Sequence, residues 1–265
     1  MHIVSGKEKN TMTLCIDIGN SNIVLGGFEG GKLSFVARIS TDISKTQDEY
    51  ACTVLDVLSL KKVDKSLIDG CIISSVVPPL NSIVKNAVKS AFGIDSLTVG
   101  PGIKTGLCIH CDNPSSVGSD IICACVAAHH LYRESCLVID MGTATKMSLI
   151  DNSGTFEGVS IIPGVIMGLK ALSSGTAQLP QISLEAPGNL VGKNTVDSMK
   201  SGIIYGNASL IDGMIDRFIE ETGENLKVIA TGGLAKTITA FCKHETVLDD
   251  NLVLKGLNII YSKNK

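Results

Sequence analysis

One pattern occurs twice in this chain and limits what it can fold into. Residues 15–35 read CIDIGNSNIVLGGFEGGKLSF, and residues 136–163 read CLVIDMGTATKMSLIDNSGTFEGVSIIP. Both run strand, Asp-x-Gly, small polar residues, second strand, Gly-containing turn, third strand. Asp17-Ile18-Gly19-Asn20 matches Asp140-Met141-Gly142-Thr143, and the two aspartates lie 123 positions apart. Solenoid repeats recur every ~20–50 residues. A period near half of a 265-residue chain marks a duplicated domain instead. Helical spacing of apolar residues follows each strand group, so each half should build a mixed α/β sheet covered by helices.

The local signals agree with that plan. Leu14–Ile18 reads as a buried strand, and Ile23–Phe28 with Leu33–Ile39 reads as a hairpin closed at Gly30-Gly31, where positive φ is needed. A helix is expected over Gln47–Leu60 with Thr46 as N-cap. A strand over Gly70–Val77 ends at Pro78-Pro79, and Leu80–Phe92 returns to helix. In the second half, helices are expected over Val165–Ser173, Val196–Gly206 and Ser209–Glu221. The strand Lys227–Ala230, the turn ATGGLA and a closing segment Leu252–Tyr261 follow.

Asp17 sits among isoleucines in a buried strand, where an unpaired carboxylate is destabilising by several kcal/mol, on the order of a buried charge. The residues after it suggest what it serves. Asp, Gly and short hydroxyl or amide side chains after a strand form a turn with accessible backbone N–H groups, and Gly lets a phosphate approach the main chain. A carboxylate beside that turn repels phosphate unless a divalent cation lies between them; Mg2+, which keeps waters and takes few carboxylates, suits the arrangement. Two such turns facing each other would clamp a triphosphate. The late pair Gly232-Gly233 would let an adenine ring approach the backbone.

Other classes are excluded or disfavoured. A net charge of −3, a pI near 6.0, no Trp and only 4% aromatic residues leave no basic stripe or stacking platform, so nucleic acid is not an expected partner. The apolar segments fall short of a membrane span, and the polar opening MHIVSGKEKNTM has no apolar signal core; a cytoplasmic setting is expected. Nine scattered cysteines are not a disulfide framework, and Cys108, His110, Cys111, Cys123, Cys125, His129 and His130 lack zinc-ribbon spacing. APGNLVGKNT imitates a P-loop but has Pro187 where the first Gly belongs and Asn194 where Ser or Thr must follow Lys193. No G-x-G-x-x-G follows the first strand.

Taken together, DIGNSNIV (Asp17, Ile18, Gly19, Asn20, Ser21, Asn22, Ile23, Val24), ISTD, DEY, IISSVVPPLN, VGPGIKTGL, DNPSSVGSD, VIDMGTAT, GKNTVDSMKSGIIYG, DGMIDR and ATGGLA resemble type III pantothenate kinase, in order, from about Leu14 to Tyr261. The resemblance implies an α/β fold of duplicated actin-like (ribonuclease H-like) domains around an ATP cleft. The expected division is a flexible extension over 1–11, an N-terminal domain over 12–116 and a C-terminal domain over 117–265. It further implies ATP-dependent phosphorylation of pantothenate, the first step of coenzyme A synthesis, by a homodimer using Mg2+ or another divalent ion and K+ or NH4+. Asp17–Val24 would form the first phosphate turn, with Asp17 facing the metal-bound phosphates. Asp120 would be the catalytic base, Asp140 would hold the monovalent cation, and Thr143 would contact ATP. Thr195, with Gly118 and Ser119, would help bind pantothenate.

Two positions depart from the family pattern. The usual aromatic residue before DNP is Cys111 here, and the family's GADR reads GSDI, so Ile121 stands where a guanidinium is expected. Arg offers five donors in a planar fork and Ile offers none. Three readings follow: an active kinase with a modified acceptor site, a non-catalytic nucleotide-binding relative, and a kinase for a less polar alcohol.

Overall fold

A computed structural model describes residues 11–265. Most of the expected extension over 1–11 therefore lies outside the described residues. The chain forms two compact units. The first comprises residues up to Gly106, Ser115–Ala124 and Val253–Lys265, and the second comprises Leu107–Pro114 and Cys125–Leu252.

In the first unit, β1 (Met12–Ile18), β2 (Asn22–Glu29) and β3 (Lys32–Ser40) form an antiparallel meander. β4 (Ile68–Ser75) adds parallel to β1, and the short β5 (Leu97–Thr98) adds parallel to β4, giving the order β3-β2-β1-β4-β5. Strand alternation sends Leu14, Ile16 and Ile18 into one cluster with Tyr50, Val54 and Leu58 of α1 (Gln47–Leu60) and Val84 and Val88 of α2 (Asn81–Phe92). Cys15 and Asp17 occupy the alternate positions and so face the opposite side of the sheet. α1 spans the expected residues because its start is encoded locally. The Thr46 side chain accepts from Glu49 N, and the Glu49 carboxylate accepts from Thr46 N at 2.7 Å, a reciprocal cap.

The second unit repeats the topology. β7 (Cys136–Met141), β8 (Ala144–Ile150) and β9 (Thr155–Pro163) form the meander, while β10 (Lys227–Thr231) and β11 (Val247–Leu248) add in parallel on the β7 side. β6 (Cys108–Ile109) pairs with β9 at the far edge. Leu137, Ile139 and Met141 pack with Met147, with Val165 of α4 (Val165–Ser174), with Ile204, Ile211 and Ile215 of α5 (Thr195–Thr222), and with Ile238 of α6 (Ala235–Thr239).

Two expectations need correction. The division at 116/117 does not describe the units. The start of α3 (Ser119–Tyr132) is hydrogen-bonded to the end of β4, and α7 (Leu252–Asn264) packs on the first sheet. Asn264 bonds both the N–H and the carbonyl of Lys104, at 3.0 and 2.9 Å, and Leu254 lies against Gly26. The C-terminal helix thus returns to the first unit to cover its apolar surface. The expected break between Val196–Gly206 and Ser209–Glu221 is also absent, because α5 runs unbroken through Asn207 and Ala208. Asn207 Nδ2 bonds Ile203 O at 2.7 Å, and Ala208 is buried.

Candidate active site

Asp17 is the penultimate residue of β1, opposite Val24 on β2 and Ser74 on β4. The turn after it is closed by Gly19 N donating to Asn22 O at 3.0 Å. Thr41 braces the turn from outside: its hydroxyl donates to Gly19 O at 2.6 Å, and its N–H donates to Ser21 O at 3.1 Å. Asn20, Ser21 and Asn22 are exposed, while Ile18 and Ile23 are core residues. Of the octapeptide, the polar tip can therefore meet a ligand through side chains, and the isoleucines hold the strands that present it. Thr41 was not assigned a role from sequence; the ISTD motif was the available signal.

The second carboxylate of this unit, Asp120, lies in the first turn of α3. Its Oδ1 accepts from Ile121 N at 2.8 Å. Gly118 makes room for that carboxylate, since a Cβ there would stand 2.5 Å from Asp120 Oδ1. The Ser119 hydroxyl is committed to the scaffold. It lies 2.9 Å from Ser74 Oγ, accepts from Ser75 N at 2.9 Å and donates to Ser75 O at 3.1 Å. Ile121 is 7% exposed, so its side chain packs inside rather than presenting surface to a substrate.

Cys123, one turn further along α3, connects the two acids. Its thiol is fully buried, and burial pushes its pKa well up; the negative charges of Asp17 and Asp120 push it further in the same direction. The geometry agrees: Asp17 pairs with Ser74 across β1 and β4, and the Ser74 hydroxyl meets that of Ser119 next to Asp120. The first unit thus brings together the turn at Gly19–Asn22, Asp17 and Asp120.

The second unit presents the duplicate. Asp140 sits opposite Lys146 on β8 and Thr231 on β10. The turn is one residue shorter, with Gly142 N donating to Ala144 O at 3.1 Å, and Gly142 and Thr143 are exposed. Gly232, at φ +95°, passes directly against the acid: a Cβ there would lie 2.7 Å from Asp140 Oδ1. Gly233 beside it is exposed. Lys146 Nζ lies 2.7 Å from Asp140 Oδ2. Sequence reasoning missed Lys146, because its pairing depends on hairpin register.

Thr195 belongs to the second unit and opens α5. It is exposed at the start of α5, which Asn194 caps by accepting from Asp197 N at 2.9 Å. With Leu172, Leu179, Lys193 and Met199 it lines an open cavity of about 550 Å³. Cys111 is half-buried between β6 and the turn at Pro114–Ser116.

Among the described residues, no group of three or more His, Cys, Asp or Glu side chains is placed to cage a metal. Mg2+ needs no such cage, because one or two carboxylates with substrate phosphates hold it. Asp17 beside an exposed turn fits that requirement. A monovalent cation at Asp140 does not fit equally well, because an ammonium group already touches that carboxylate.

The duplicated meander with parallel additions defines the actin-like ATPase and sugar-kinase fold. The activator of the 2-hydroxyisocaproyl-CoA dehydratase from Clostridium difficile, solved with bound ADPNP, shares it with a TM-score of 0.55 at 14% identity, over 96% of this chain and 95% of that one. Within that class, the model of the type III pantothenate kinase family matches residues 13–217. The type III pantothenate kinase of Geotalea daltonii is 42% identical over 96% of this chain and 99% of its own length. That of Halalkalibacterium halodurans is 44% identical over 96% of this chain and all of its own. The chain belongs to the type III pantothenate kinase family.

Proposed function

We propose that this protein transfers the γ-phosphoryl group of ATP to the hydroxyl of pantothenate, giving 4'-phosphopantothenate for coenzyme A synthesis. Family membership over nearly the whole chain supports this reading over a non-catalytic relative. One structural observation carries the site assignment: Asp17 pairs in register with Ser74, whose hydroxyl lies 2.9 Å from that of Ser119, the residue before Asp120, so a phosphate-side acid and an acceptor-side acid share one neighbourhood.

In this reading Asp120 accepts a hydrogen bond from the pantothenate hydroxyl and aims its oxygen at the γ-phosphorus. The new O–P bond forms as the bond to ADP breaks, and the hydroxyl proton leaves toward the Asp120 carboxylate. Phosphoryl transfer passes through a loose transition state, so orientation is the larger contribution of a carboxylate of this kind. In the first unit the exposed turn Asn20–Asn22 would meet the phosphates and the Gly118 segment the acceptor; in the second unit Thr143 would contact ATP, Gly232-Gly233 would admit the adenine, and Thr195 would help bind pantothenate. Asp17 would hold Mg2+ through its waters, and that ion supplies neutralisation of the phosphate charge.

A homodimer is part of the proposal. Ile166, Met167 and Leu172 on α4 and Leu190, Val191 and Val196 before and at the start of α5 are exposed apolar side chains that association between two copies would cover. Among the described residues no helix is long and apolar enough to cross a membrane.

The test is an ADP-release assay with ATP, Mg2+ and pantothenate. Turnover is expected, with a loss of about 10²–10⁴-fold in Asp120→Asn, the range for a positioned acid–base group. Wild-type turnover no higher than that of the variant overturns the proposal.

A further inference from the structure

Within the second unit, the carboxylate to which the family resemblance assigns a monovalent cation already meets a cation from its own chain. Lys146 Nζ lies 2.7 Å from Asp140 Oδ2, and the two side chains are only 16% and 21% exposed. The contact is built into the sheet. Asp140 and Lys146 are directly opposed in the antiparallel β7–β8 register, on one face, so strand pairing itself delivers the ammonium to the carboxylate. On the other side Gly232 crowds Asp140 Oδ1, leaving no space for even a Cβ.

The internal duplication provides a control. At the equivalent register of the first unit, Asp17 is opposite Val24. One aspartate of the pair thus faces an aliphatic side chain, and its duplicate faces a lysine. A lysine ammonium is an alkylated NH4+ with unit charge and three N–H donors, held on a tether. A free K+ or NH4+ at the same carboxylate would stand beside a like charge in a partly buried site, where screening is weak.

We infer that Lys146 is a built-in cation that takes the place of K+ or NH4+ at Asp140, so that phosphoryl transfer by this chain needs no added monovalent cation. The inference rests on the kinase reading above. Lys146 acts through Asp140 and the turn at Gly142-Thr143, as a positioning residue. It also makes the charge at this turn permanent, where a bound ion would follow the salt composition of the medium.

The experiment uses the full chain with the Tris salt of ATP, Mg2+ and pantothenate, comparing tetramethylammonium chloride, KCl and NH4Cl at equal ionic strength. The expected wild-type rates agree within about twofold across the three salts, as for a site whose electrostatics are preorganised. Lys146→Thr removes the ammonium and opens space. Its rate is expected to fall about 10²-fold in tetramethylammonium chloride, the scale for losing one preorganised electrostatic group, and to recover in KCl or NH4Cl. A second readout needs no turnover: the melting temperature of Lys146→Thr should rise in KCl relative to tetramethylammonium chloride, while that of the wild type stays level.

A wild type stimulated more than about tenfold by K+ or NH4+ overturns the inference, since a preorganised charge leaves no room for such a gain. So does a Lys146→Thr protein equally active in all three salts, which would reduce the contact to an ordinary cross-strand ion pair. A loss that neither ion recovers overturns it too. Should Lys146→Thr fail to fold, Lys146→Gln takes its place in both readouts. If the wild type phosphorylates no pantothenate in any salt, the kinase reading is what fails. The melting comparison then still decides whether Lys146 substitutes for the ion.

Discussion

The Ser119 hydroxyl lies 2.9 Å from the Ser74 hydroxyl and joins the first turn of α3 to the last residues of β4. Two further bonds to the Ser75 main chain complete the fastening. Asp120 is the next residue, so this joint sets where the proposed catalytic carboxylate stands. Ser119→Ala leaves the fully buried Ser74 hydroxyl without this partner, a loss of about 1–3 kcal/mol. For a chain of this size that corresponds to a melting-temperature drop of about 2–4 °C per kcal/mol. Because the joint positions Asp120, kcat should fall while the KM for ATP changes little. Steady-state kinetics beside a thermal melt check both, and unchanged kcat would limit Ser119 to a stabilising role.

Gly118→Ala tests the same acid from the other side. The new methyl would come 2.5 Å from Asp120 Oδ1, so the carboxylate must swing away. A misplacement of about 1 Å near a reacting group can reduce rate about 10²-fold. The expected signature is a loss of kcat on that scale with nucleotide binding retained, read by calorimetry with a non-hydrolysable ATP analogue. Weakened nucleotide binding would count against assigning Gly118 to the acceptor side.

In the second unit, Gly232→Ala places a side chain at φ +95° and against Asp140. The backbone strain alone is about 1–3 kcal/mol. Weaker binding of the ATP analogue and a lower melting temperature are expected together. A variant that melts earlier but binds nucleotide normally would separate Gly232 from the nucleotide site.

Alkaline pH should destabilise the protein through its buried thiols. Burial, followed by the charge of Glu134, raises Cys136 from 9.0 to about 12. The folded-state pKa lies above the unfolded one, so this contribution is complete below pH 9 and is lost progressively as pH rises toward 12. Urea midpoints should therefore fall between pH 8 and pH 10.5, and Cys136→Ala should flatten part of that fall. An identical pH slope in the variant would remove Cys136 from the cause.

Much of the architecture was legible because its determinants are local. Thr46 and Glu49 are three residues apart and settle the start of α1 without help from the rest of the chain. The alternation of Leu14, Ile16 and Ile18 against Cys15 and Asp17 already says that the acid faces away from the large core. The repeat of Asp-x-Gly within matching strand patterns announced the duplication. Harder to read was Ile121, where a sequence comparison sees a lost guanidinium. Its burial follows from how α3 packs, which no short window contains. The unbroken α5 was missed for a related reason, since burial of Ala208 against the second sheet outweighs the weak helix propensity of Gly206 and Asn207.

By itself, then, the sequence determined the duplicated α/β plan, the two Asp-x-Gly turns and the acid at the start of α3, because each depends on residues within a few positions of one another. Only the tertiary structure decided that residues 115–124 and 253–265 belong to the first unit, since that requires Ser119 to reach Ser75 and Asn264 to reach Lys104. It also decided that Asp140 carries a lysine partner. The turn at Gly142 is one residue shorter than the turn at Gly19, and that difference brings Lys146 opposite Asp140 where Val24 stands opposite Asp17. Register is a property of paired strands, and the charge at the second turn follows from it.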